Sequence, residues 1–328
     1  MAATYKVKVL LDVHSVRDSQ NGFDNSGKAT DVIWDNETHF RHWSVLNAKW
    51  MGEWNGEEYT SINQTNIDFS VDTIQGIMER WGHHPALYAV EPVNEPWWNS
   101  DLVTLKEFYR RCREAIRKIN ADIIFVFHDA FQPQADVWND LFDDDDMEGV
   151  ILDTHQYLAW SEPHDTINEY CDAYGATFGA DSMKNIKYPI WVGEWSLATD
   201  VCALWLGGFN DADGDVSPQF QCQSTDCPRS YMPAPYGTDF DRSAPELGPY
   251  GESDIFIIRY GQCLFDSDYF DDSAIKTLGD CTSYILNDSV DGQFLWNFRN
   301  ELEPRWSYLE AYDNGWLNNY SSDYKHKL

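Results

Sequence analysis

Basic residues are scarce in this chain of 328 residues, where 23 Lys and Arg stand against 55 Asp and Glu. The resulting formal net charge of -32 repels phosphate polyanions over most of the surface, which excludes nucleic acid as a partner. Also missing is any run of about 18 apolar residues, so we expect no membrane-spanning helix. The segment from Met1 to His14 lacks the cationic and long apolar stretches of a signal peptide, and none is expected in this chain.

Cysteine is infrequent, and its seven copies are an odd number without a Cys-x-x-Cys pair. Cys222 and Cys227 flank a short polar loop and are close enough in sequence to form a disulfide bond. Cys112 and Cys171 are instead predicted to be free thiols.

Aromatic residues, in contrast, are abundant: the chain has 15 Trp, 18 Tyr and 17 Phe. Two interpretations fit this excess, an aromatic core and a set of platforms that stack on sugar rings. The hydrophobic fraction of 43% is enough for a packed core and excludes a disordered chain.

Short apolar runs alternate with amphipathic stretches, which is typical of repeated βα units around a parallel sheet. The predicted strands are Val7–Val13, Leu87–Val93, Ile123–Phe127, Val150–Thr154, Ile190–Gly193 and Gly292–Trp296. The predicted helices are Asn66–Trp81, Leu102–Ile119, Ala135–Leu141, Asp165–Phe178, Ser253–Phe265 and Ser273–Leu286. We therefore predict an α/β fold in which residues 1–328 form a single catalytic domain.

Two long segments interrupt this alternation and are predicted to be irregular. Ser15–Thr65 is rich in Gly, Asn and Trp, and residues 206–251, a loop insertion, are rich in Pro, Gly and Asp. Loops of this length within a compact domain usually carry function or form lids.

Polar or aromatic side chains follow each predicted strand at the point where it ends. They are His14, Asn94 and Glu95, His128 and Asp129, His155 and Tyr157, Glu194, and Trp296. Because reactive groups of a parallel barrel cluster at the C-terminal ends of its strands, these residues predict a functional site at that rim.

Two carboxylates stand out in this set, Glu95 and Glu194. Cleavage of a glycosidic bond needs a proton for the departing oxygen and a nucleophile or base on the other side of the anomeric carbon. Two Glu residues from different strands meet that need, and a separation of about 5–5.5 Å gives retention of configuration. The sequence therefore predicts a retaining glycosidase.

From about Val9 to Leu317, the motifs of the chain resemble those of the exo-β-1,3-glucanases (glucan 1,3-β-glucosidases) of glycoside hydrolase family five. The matching motifs are Ser19 through Gly27, Asn94-Glu95-Pro96, His128-Asp129-Ala130-Phe131, His155-Gln156-Tyr157, Gly193-Glu194-Trp195-Ser196 and Trp296 through Glu301. The resemblance implies a TIM-type (β/α)8 barrel that releases glucose from the nonreducing end of β-1,3-glucan. It further implies a monomer, no cofactor or metal, and an extracellular or cell-wall location.

By this resemblance Glu95 is the acid/base and Glu194 the nucleophile. Asn94 is expected to contact the sugar 2-hydroxyl, and Tyr157 to hydrogen-bond the nucleophile. The sugar-binding set is completed by His14, Asp24, Asn25 and His155 around the −1 subsite, Trp296 as its floor, and Phe23 with Trp160 as an aromatic clamp. Trp160 stands where relatives have Phe.

The chain departs from the family pattern at its start, since the match begins at what would be the third strand. We therefore expect an N-terminally truncated, incomplete barrel that is open and contains strands three to eight. The absent units would supply an Arg that supports the nucleophile and a Glu that binds the nonreducing sugar end. Six parallel strands cannot close a barrel of eight.

Three alternatives remain open at the level of sequence. The same carboxylate pair serves β-1,4-glucan, mannan or glucolipid hydrolysis, because the fold does not fix the sugar. A sugar-binding pseudoenzyme would keep the aromatic platforms without catalysis. A metal-dependent hydrolase would draw ligands from His14, His39, His42, His128 and His155, although zinc sites usually pair histidines closely.

Overall fold

The computed structural model describes residues 1–26, 32–34, 39–42, 48–161, 164, 166–179, 183–199, 250–253, 257–258, 272–300 and 304–317. The strands within these residues are β1 (Val9–Asp12), β2 (Val32–Trp34), β3 (His39–His42), β4 (Gly52–Trp54), β5 (Tyr59–Ile62), β6 (Leu87–Glu91), β7 (Ile124–His128), β8 (Val150–Gln156), β9 (Ile190–Trp195), β10 (Tyr250–Ser253), β11 (Ile257–Ile258) and β12 (Gly292–Leu295). The α-helices are α1 (Gln64–Trp81), α2 (Leu102–Ile119), α3 (Ala135–Trp138), α4 (Ile167–Phe178), α5 (Asp272–Ser289) and α6 (Tyr308–Asp313).

The main sheet has six strands in the order β1-β6-β7-β8-β9-β12. The pairs β1–β6, β6–β7 and β7–β8 are parallel, and a helix lies between successive strands from β6 to β9 along the chain. All seven residues of β8 are buried, as expected for a strand covered on both faces. The structure confirms the predicted fold class, an incomplete (β/α)8 barrel.

Two predictions of local structure were wrong within the described residues. Ser15–Thr65, predicted to be irregular, contains β2 and β3, which pair antiparallel, and the antiparallel hairpin of β4 and β5. Ser253–Phe265 was predicted to be helical, but Ser253 ends β10 and Ile257–Ile258 form β11 beside it. Neighbouring β-branched residues favour extended backbone, and the apolar spacing alone does not separate the two states. The insertion 206–251 lies outside the described residues except for its last two positions.

The chain divides into two compact units. Unit 1 comprises Met1–Asp31, Trp43–Thr154 and Asn185–Trp191. Unit 2 comprises Val32–His42, His155–Lys184 and Val192–Leu328.

The core of unit 1 is aromatic and fixes the end of β7. Helix α2 starts at the cap Asp101, whose side chain accepts from Thr104 N, and it buries residues spaced three and four apart. Among them Tyr109 contacts the Phe127 ring and donates its hydroxyl to the backbone oxygen of His128, 2.9 Å away. Burial raises the pKa of Tyr109 well above its ordinary value, so the hydroxyl stays a donor.

Unit 1 also contains a two-point ion pair at the start of β8. The buried Arg113 donates to both carboxylate oxygens of the exposed Asp146, at 2.5 and 2.7 Å, and stacks over the Phe142 ring. The hydrogen bonds from Arg113 lower the pKa of Asp146 below its ordinary value. This pair holds the acidic turn Asp144–Asp146 against α2.

Replacing Asp146 by Asn is expected to lower the free energy of unfolding by about 1 kcal/mol at pH 7, because Arg113 loses its charged partner while solvent screens the half-exposed carboxylate. A carboxyl whose pKa is lower in the folded state stabilises the fold above its unfolded pKa, about 3.9, and this contribution is lost as pH falls through the folded value. Urea unfolding of both proteins should therefore show a difference that is constant from pH 7 to 5 and shrinks below about pH 4.

The neighbouring exposed carboxylate provides the matched control, since Asp145→Asn should have little effect at any pH. The ion-pair explanation would be contradicted if the free energies of unfolding of Asp146→Asn and the unsubstituted chain differed by the same amount at every pH.

A disulfide bond between Cys171 and Cys281 joins α4 to α5 in unit 2. The prediction of a free thiol at Cys171 was therefore wrong, whereas Cys112 is free and buried as predicted. The two cysteines are 110 residues apart in sequence, and no spacing motif marks them. Around the bond pack Tyr170, Tyr174 and Leu278, so the core forms where the two helices meet. The predicted Cys222–Cys227 bridge lies outside the described residues.

Removing this bond in the double variant Cys171→Ser, Cys281→Ser is expected to cost about 2–5 kcal/mol, because a long loop in the unfolded chain is released. Urea unfolding with and without dithiothreitol measures the loss. The reductant should lower the unfolding free energy of the unsubstituted chain by more than it lowers that of the double variant, in which the Cys171–Cys281 bond is already absent. Equal sensitivity of the two proteins would show that this bond contributes no stability.

None of the described helices combines the length and apolar content needed to cross a bilayer.

Candidate active site

A buried glutamine, Gln20, fixes the loops that follow β1 and β6 in unit 1. Its Nε2 donates to the backbone oxygens of His14, at 2.9 Å, and Asn94, at 2.8 Å. The backbone nitrogen of Asn94 in turn donates to the oxygen of Val13, at 3.1 Å. Gln20 was absent from the predicted site, although it lies in the Ser19–Gly27 motif. It positions two site loops through their backbones.

Glu95 directly follows Asn94 in the sequence and is buried. It accepts a hydrogen bond from a predicted site residue. The Nδ2 of Asn25 donates to Glu95 Oε2 at 2.7 Å, which joins the loop after β1 to the predicted acid/base. The backbone of Glu95 has a φ of 42°, in the left-handed region that residues other than glycine seldom adopt. Such conformations concentrate at functional sites, where the surrounding contacts hold them.

The side chain of Asn94 is buried, and its Nδ2 has no hydrogen-bond partner among the described residues. A buried amide donor without an acceptor costs free energy, which a ligand oxygen would recover. Asn94 therefore has the chemistry expected of a group that contacts a sugar hydroxyl.

Aromatic rings border this part of unit 1. Phe23 contacts Trp97 edge to face, with ring centroids 4.8 Å apart. Trp97 contacts Phe131 in the same manner at 5.1 Å. Asp24 lies in the 3₁₀ turn Asp24–Ser26, and its side chain lies outside what the structure describes.

His14 follows β1 and is exposed, with Nδ1 2.9 Å from Oδ2 of Asp12. Asp12 is in register with Glu91 of β6, so this histidine is held at the end of the sheet where Glu95 also follows its strand. That position agrees with the predicted clustering at strand ends.

In unit 2, two predicted residues, Tyr157 and His155, converge on one carboxylate oxygen of Glu194. The hydroxyl of Tyr157 donates to Oε2 of Glu194 at 2.5 Å, and Nδ1 of His155 lies 3.6 Å from the same oxygen. His155 lies in the last pleat of β8 and Tyr157 directly follows the strand, two positions on, so the strand end carries both residues to Glu194. The end of β8 therefore brings two side chains to Glu194.

A second aromatic cluster surrounds Trp306, a fully buried residue that was absent from the predicted site. Its ring lies 5.4 Å from Tyr157, 5.9 Å from Trp160 and 5.4 Å from Trp296. Trp306 therefore contacts all three of these rings, of which Trp160 and Trp296 were predicted to bind sugar and Tyr157 donates to Glu194. It lies beyond the last recognised motif, and no spacing signal marks it.

The predicted set is thus gathered in two groups, each within its own unit. Unit 1 holds Asn25 against Glu95, with His14 and Asn94 linked through Gln20 and with Phe23 packed on Trp97. Unit 2 holds His155 and Tyr157 against Glu194, with Trp160 and Trp296 packed on Trp306.

Comparison with known families identifies the class of protein. The family model described as cellulase (glycosyl hydrolase family 5) matches residues 1–203. That match covers more than half of the 328 residues and includes both Glu95 and Glu194. The chain belongs to glycosyl hydrolase family 5.

Two curated relatives share less than a third of their aligned residues with this chain. The chain is 29% identical over 237 residues to a glucan 1,3-beta-glucosidase of Schwanniomyces occidentalis, covering 69% of this chain and 48% of the relative. It is 25% identical over 312 residues to a glucan 1,3-beta-glucosidase of Blumeria graminis, covering 92% of this chain and 58% of the relative. The chain thus spans about half the length of the curated relatives it matches.

Among solved structures, a rutinosidase from Aspergillus niger aligns with a TM-score of 0.55 at 15% identity. The alignment covers 97% of this chain and 69% of the rutinosidase. At this identity the likeness concerns the fold alone.

Replacement of Tyr157 by Phe removes the hydrogen bond to Glu194 and keeps the ring between Trp160 and Trp306. Because a hydrogen bond to a charged group contributes about 1.5–3 kcal/mol, we expect kcat on 4-nitrophenyl β-glucoside to fall about 10- to 100-fold. Tyr284→Phe, which changes a tyrosine that is 74% exposed on α5, serves as the control and should keep full activity. A Tyr157→Phe variant that keeps the full kcat of the unsubstituted chain would show that Glu194 does not depend on this donor.

Proposed function

We propose that this chain hydrolyses β-glucosidic bonds with retention of configuration and acts from the nonreducing end of β-1,3-glucan to release glucose. The observation that carries the proposal is the hydrogen bond from Tyr157 to Glu194 at the end of β9. It is supported by a second carboxylate, Glu95, which accepts from Asn25 at the end of β6. Family membership supports glycoside chemistry, and the names of the relatives support the glucan.

In the first step of the proposed mechanism, Glu95 donates its proton to the departing glycosidic oxygen while Glu194 Oε2 attacks the anomeric carbon. The glycosidic C–O bond breaks, and a covalent glycosyl–Glu194 ester forms. In the second step Glu95 removes a proton from water, which attacks the anomeric carbon and frees Glu194. The mechanism requires the two carboxyl groups about 5–5.5 Å apart.

Asn94 has a role in both steps of this proposal. Its buried Nδ2, which has no acceptor among the described residues, would donate to the 2-hydroxyl of the reacting sugar. Hydrogen bonds to that hydroxyl strengthen in the transition state and supply several kcal/mol in glycosidases.

The remaining predicted residues are proposed to bind the sugar. His14, Asp24, Asn25 and His155 would surround the −1 subsite, Trp296 would form its floor, and Phe23 with Trp160 would clamp the leaving sugar. Trp160 and Trp296 share the Trp306 contact, so both rings are held by packing and are suited to stacking on a sugar face.

We also propose an extracellular or cell-wall location and a monomeric state. The Cys171–Cys281 bond supports the location, because disulfide bonds persist in oxidising compartments. The excess of acidic residues supports an uncharged substrate over an anionic one.

The test is substitution of each carboxylate. Glu194→Gln is expected to lower kcat on laminarin at least about 10³-fold, since the nucleophile is lost. Glu95→Gln should lower it about 10²- to 10⁴-fold, and less on 2,4-dinitrophenyl β-glucoside, whose leaving group needs no proton.

Glu79→Gln, which changes an exposed carboxylate on α1, is the matched control and should remain fully active. Proton NMR of the unsubstituted chain should show β-glucose before the α-anomer, as retention requires. An α-anomer formed first, or full activity in Glu194→Gln, would refute the mechanism.

A further inference from the structure

His128 is a buried histidine at the end of β7 that has no part in the mechanism proposed above. Its side chain is fully buried, and the hydroxyl of Tyr109 donates to its backbone oxygen at 2.9 Å. Two residues of the following turn adopt left-handed backbone, with φ of 52° at Ala130 and 57° at Phe131. Because residues other than glycine seldom adopt that conformation, the contacts of the turn must hold it in place.

Contacts within that turn determine which ring nitrogen of His128 carries the proton. The backbone nitrogen of Ala130 donates to Nδ1 at 3.0 Å. Oδ1 of Asp129 lies farther from Nδ1, at 3.5 Å, and accepts from the backbone nitrogen of Phe131 at 2.7 Å. Since a backbone N–H can only donate, Nδ1 is an acceptor and the neutral ring carries its proton on Nε2. The imidazole is therefore a hydrogen-bond donor at Nε2.

This donor lies close to the proposed acid/base. A ring nitrogen of His128 and a carboxylate oxygen of Glu95 are within 4.8 Å of each other. Strand β7 pairs in parallel with β6, so the two strand ends carry both residues to the same rim of unit 1. One bridging water spans a separation of this size, and such contacts also shorten when a substrate binds. Because Nδ1 accepts from Ala130, Nε2 is the nitrogen that can donate to Glu95.

Packing keeps the imidazole in this orientation. The Phe131 ring contacts the His128 ring edge to face, with centroids 5.2 Å apart, and Trp97 contacts Phe131 at 5.1 Å. The ring therefore has no room to turn toward solvent. A donor that is oriented before the substrate arrives stabilises charge in the transition state without reorganisation.

We propose that His128 is a positioning residue for Glu95, to whose carboxylate its Nε2–H donates. The donor stabilises the negative charge that appears on Glu95 when the proton leaves for the glycosidic oxygen, and His128 keeps its own proton throughout. This inference deepens the proposed function and rests on it. Asn25 already donates to Oε2 of Glu95 at 2.7 Å, so a second donor would fix the plane of the carboxyl group.

Two substitutions separate the donor at Nε2 from the turn contact at Nδ1. His128→Asn can keep an acceptor for the Ala130 amide, but it is too short to place a donor toward Glu95. His128→Gln extends an amide to the position of Nε2 and loses the acceptor. The proposal therefore expects His128→Gln to be the more active of the two variants, whereas a purely structural role expects the reverse.

The measurement is kcat/KM on two substrates whose leaving groups differ. On laminaribiose, whose departing sugar needs a proton, His128→Asn should lower kcat/KM about 10- to 100-fold. On 2,4-dinitrophenyl β-glucoside, whose leaving group needs none, the loss should be less than about threefold. Loss of kcat/KM by the same factor on both substrates would overturn the positioning role, as would a His128→Gln variant less active than His128→Asn.

His84→Asn provides the matched control. Nδ1 of the exposed His84 accepts from the backbone nitrogen of Ala86 at 3.2 Å, which repeats the turn contact of His128. His84 precedes β6, whereas Glu95 follows it, so the control lies at the other end of the strand. Its substitution should leave kcat/KM unchanged on both substrates, and thermal unfolding of every variant checks that the fold is kept.

A measurement on the unsubstituted ring decides the proposal where a His128 variant fails to fold. Proton–nitrogen correlation spectra should show His128 as the Nε2–H tautomer. Its ring signals should shift in Glu95→Gln and stay in place in Glu79→Gln, which changes an exposed carboxylate of α1. The Nδ1–H tautomer, or ring signals that do not respond to Glu95→Gln, would overturn the assignment.

Failure of the proposed function is recognised separately, as an unsubstituted chain that cleaves neither substrate. That result would reject the hydrolytic assignment and with it the positioning role of His128, whatever the spectra show. Cleavage of both substrates by a chain whose His128 is the Nδ1–H tautomer would reject the positioning role alone and keep the proposed function.

Discussion

A carboxylate removed from water must receive hydrogen-bond donors, and that constraint organises both groups of site residues. Glu194 receives the Tyr157 hydroxyl at the end of β9, and Glu95 receives the Asn25 amide beyond β6. Each donor comes from a different segment than its acceptor, so each hydrogen bond also joins two loops. The same two hydrogen bonds therefore position the site loops and offset the free-energy cost of burying the carboxylates.

Support for these donors comes from residues with no chemical part in the proposed reaction. Gln20 ties the loops after β1 and β6 through their backbone oxygens, and Trp306 packs against the ring of Tyr157. Tyr109 holds the end of β7 through a carbonyl oxygen. Loops that carry reactive groups gain precision from such buried contacts, which the strands alone do not provide.

The main helices and the two candidate carboxylates could be predicted from the sequence, because each is marked by a pattern of neighbouring residues. The bounds of α2 agree with the predicted Leu102–Ile119, whose apolar spacing is regular, and the carboxylates were found by their place after apolar runs. The pairing of Cys171 with Cys281 and the role of Trp306 depend on contacts between distant segments, which spacing does not encode. The short strands β2 to β5 were missed because three or four residues give too little periodicity to recognise.

Cys171 and Cys281, which are joined by a disulfide bond, are 110 residues apart in the sequence. Strand β9 with Glu194 and the segment 200–249 lie between them. A protease that cuts once anywhere within the span would yield two fragments still covalently joined through sulfur. Such a nicked molecule would keep its mass until reduced and would migrate as two pieces only afterwards. The fragment that bears Glu194 would thus stay attached to the other fragment after a first cleavage.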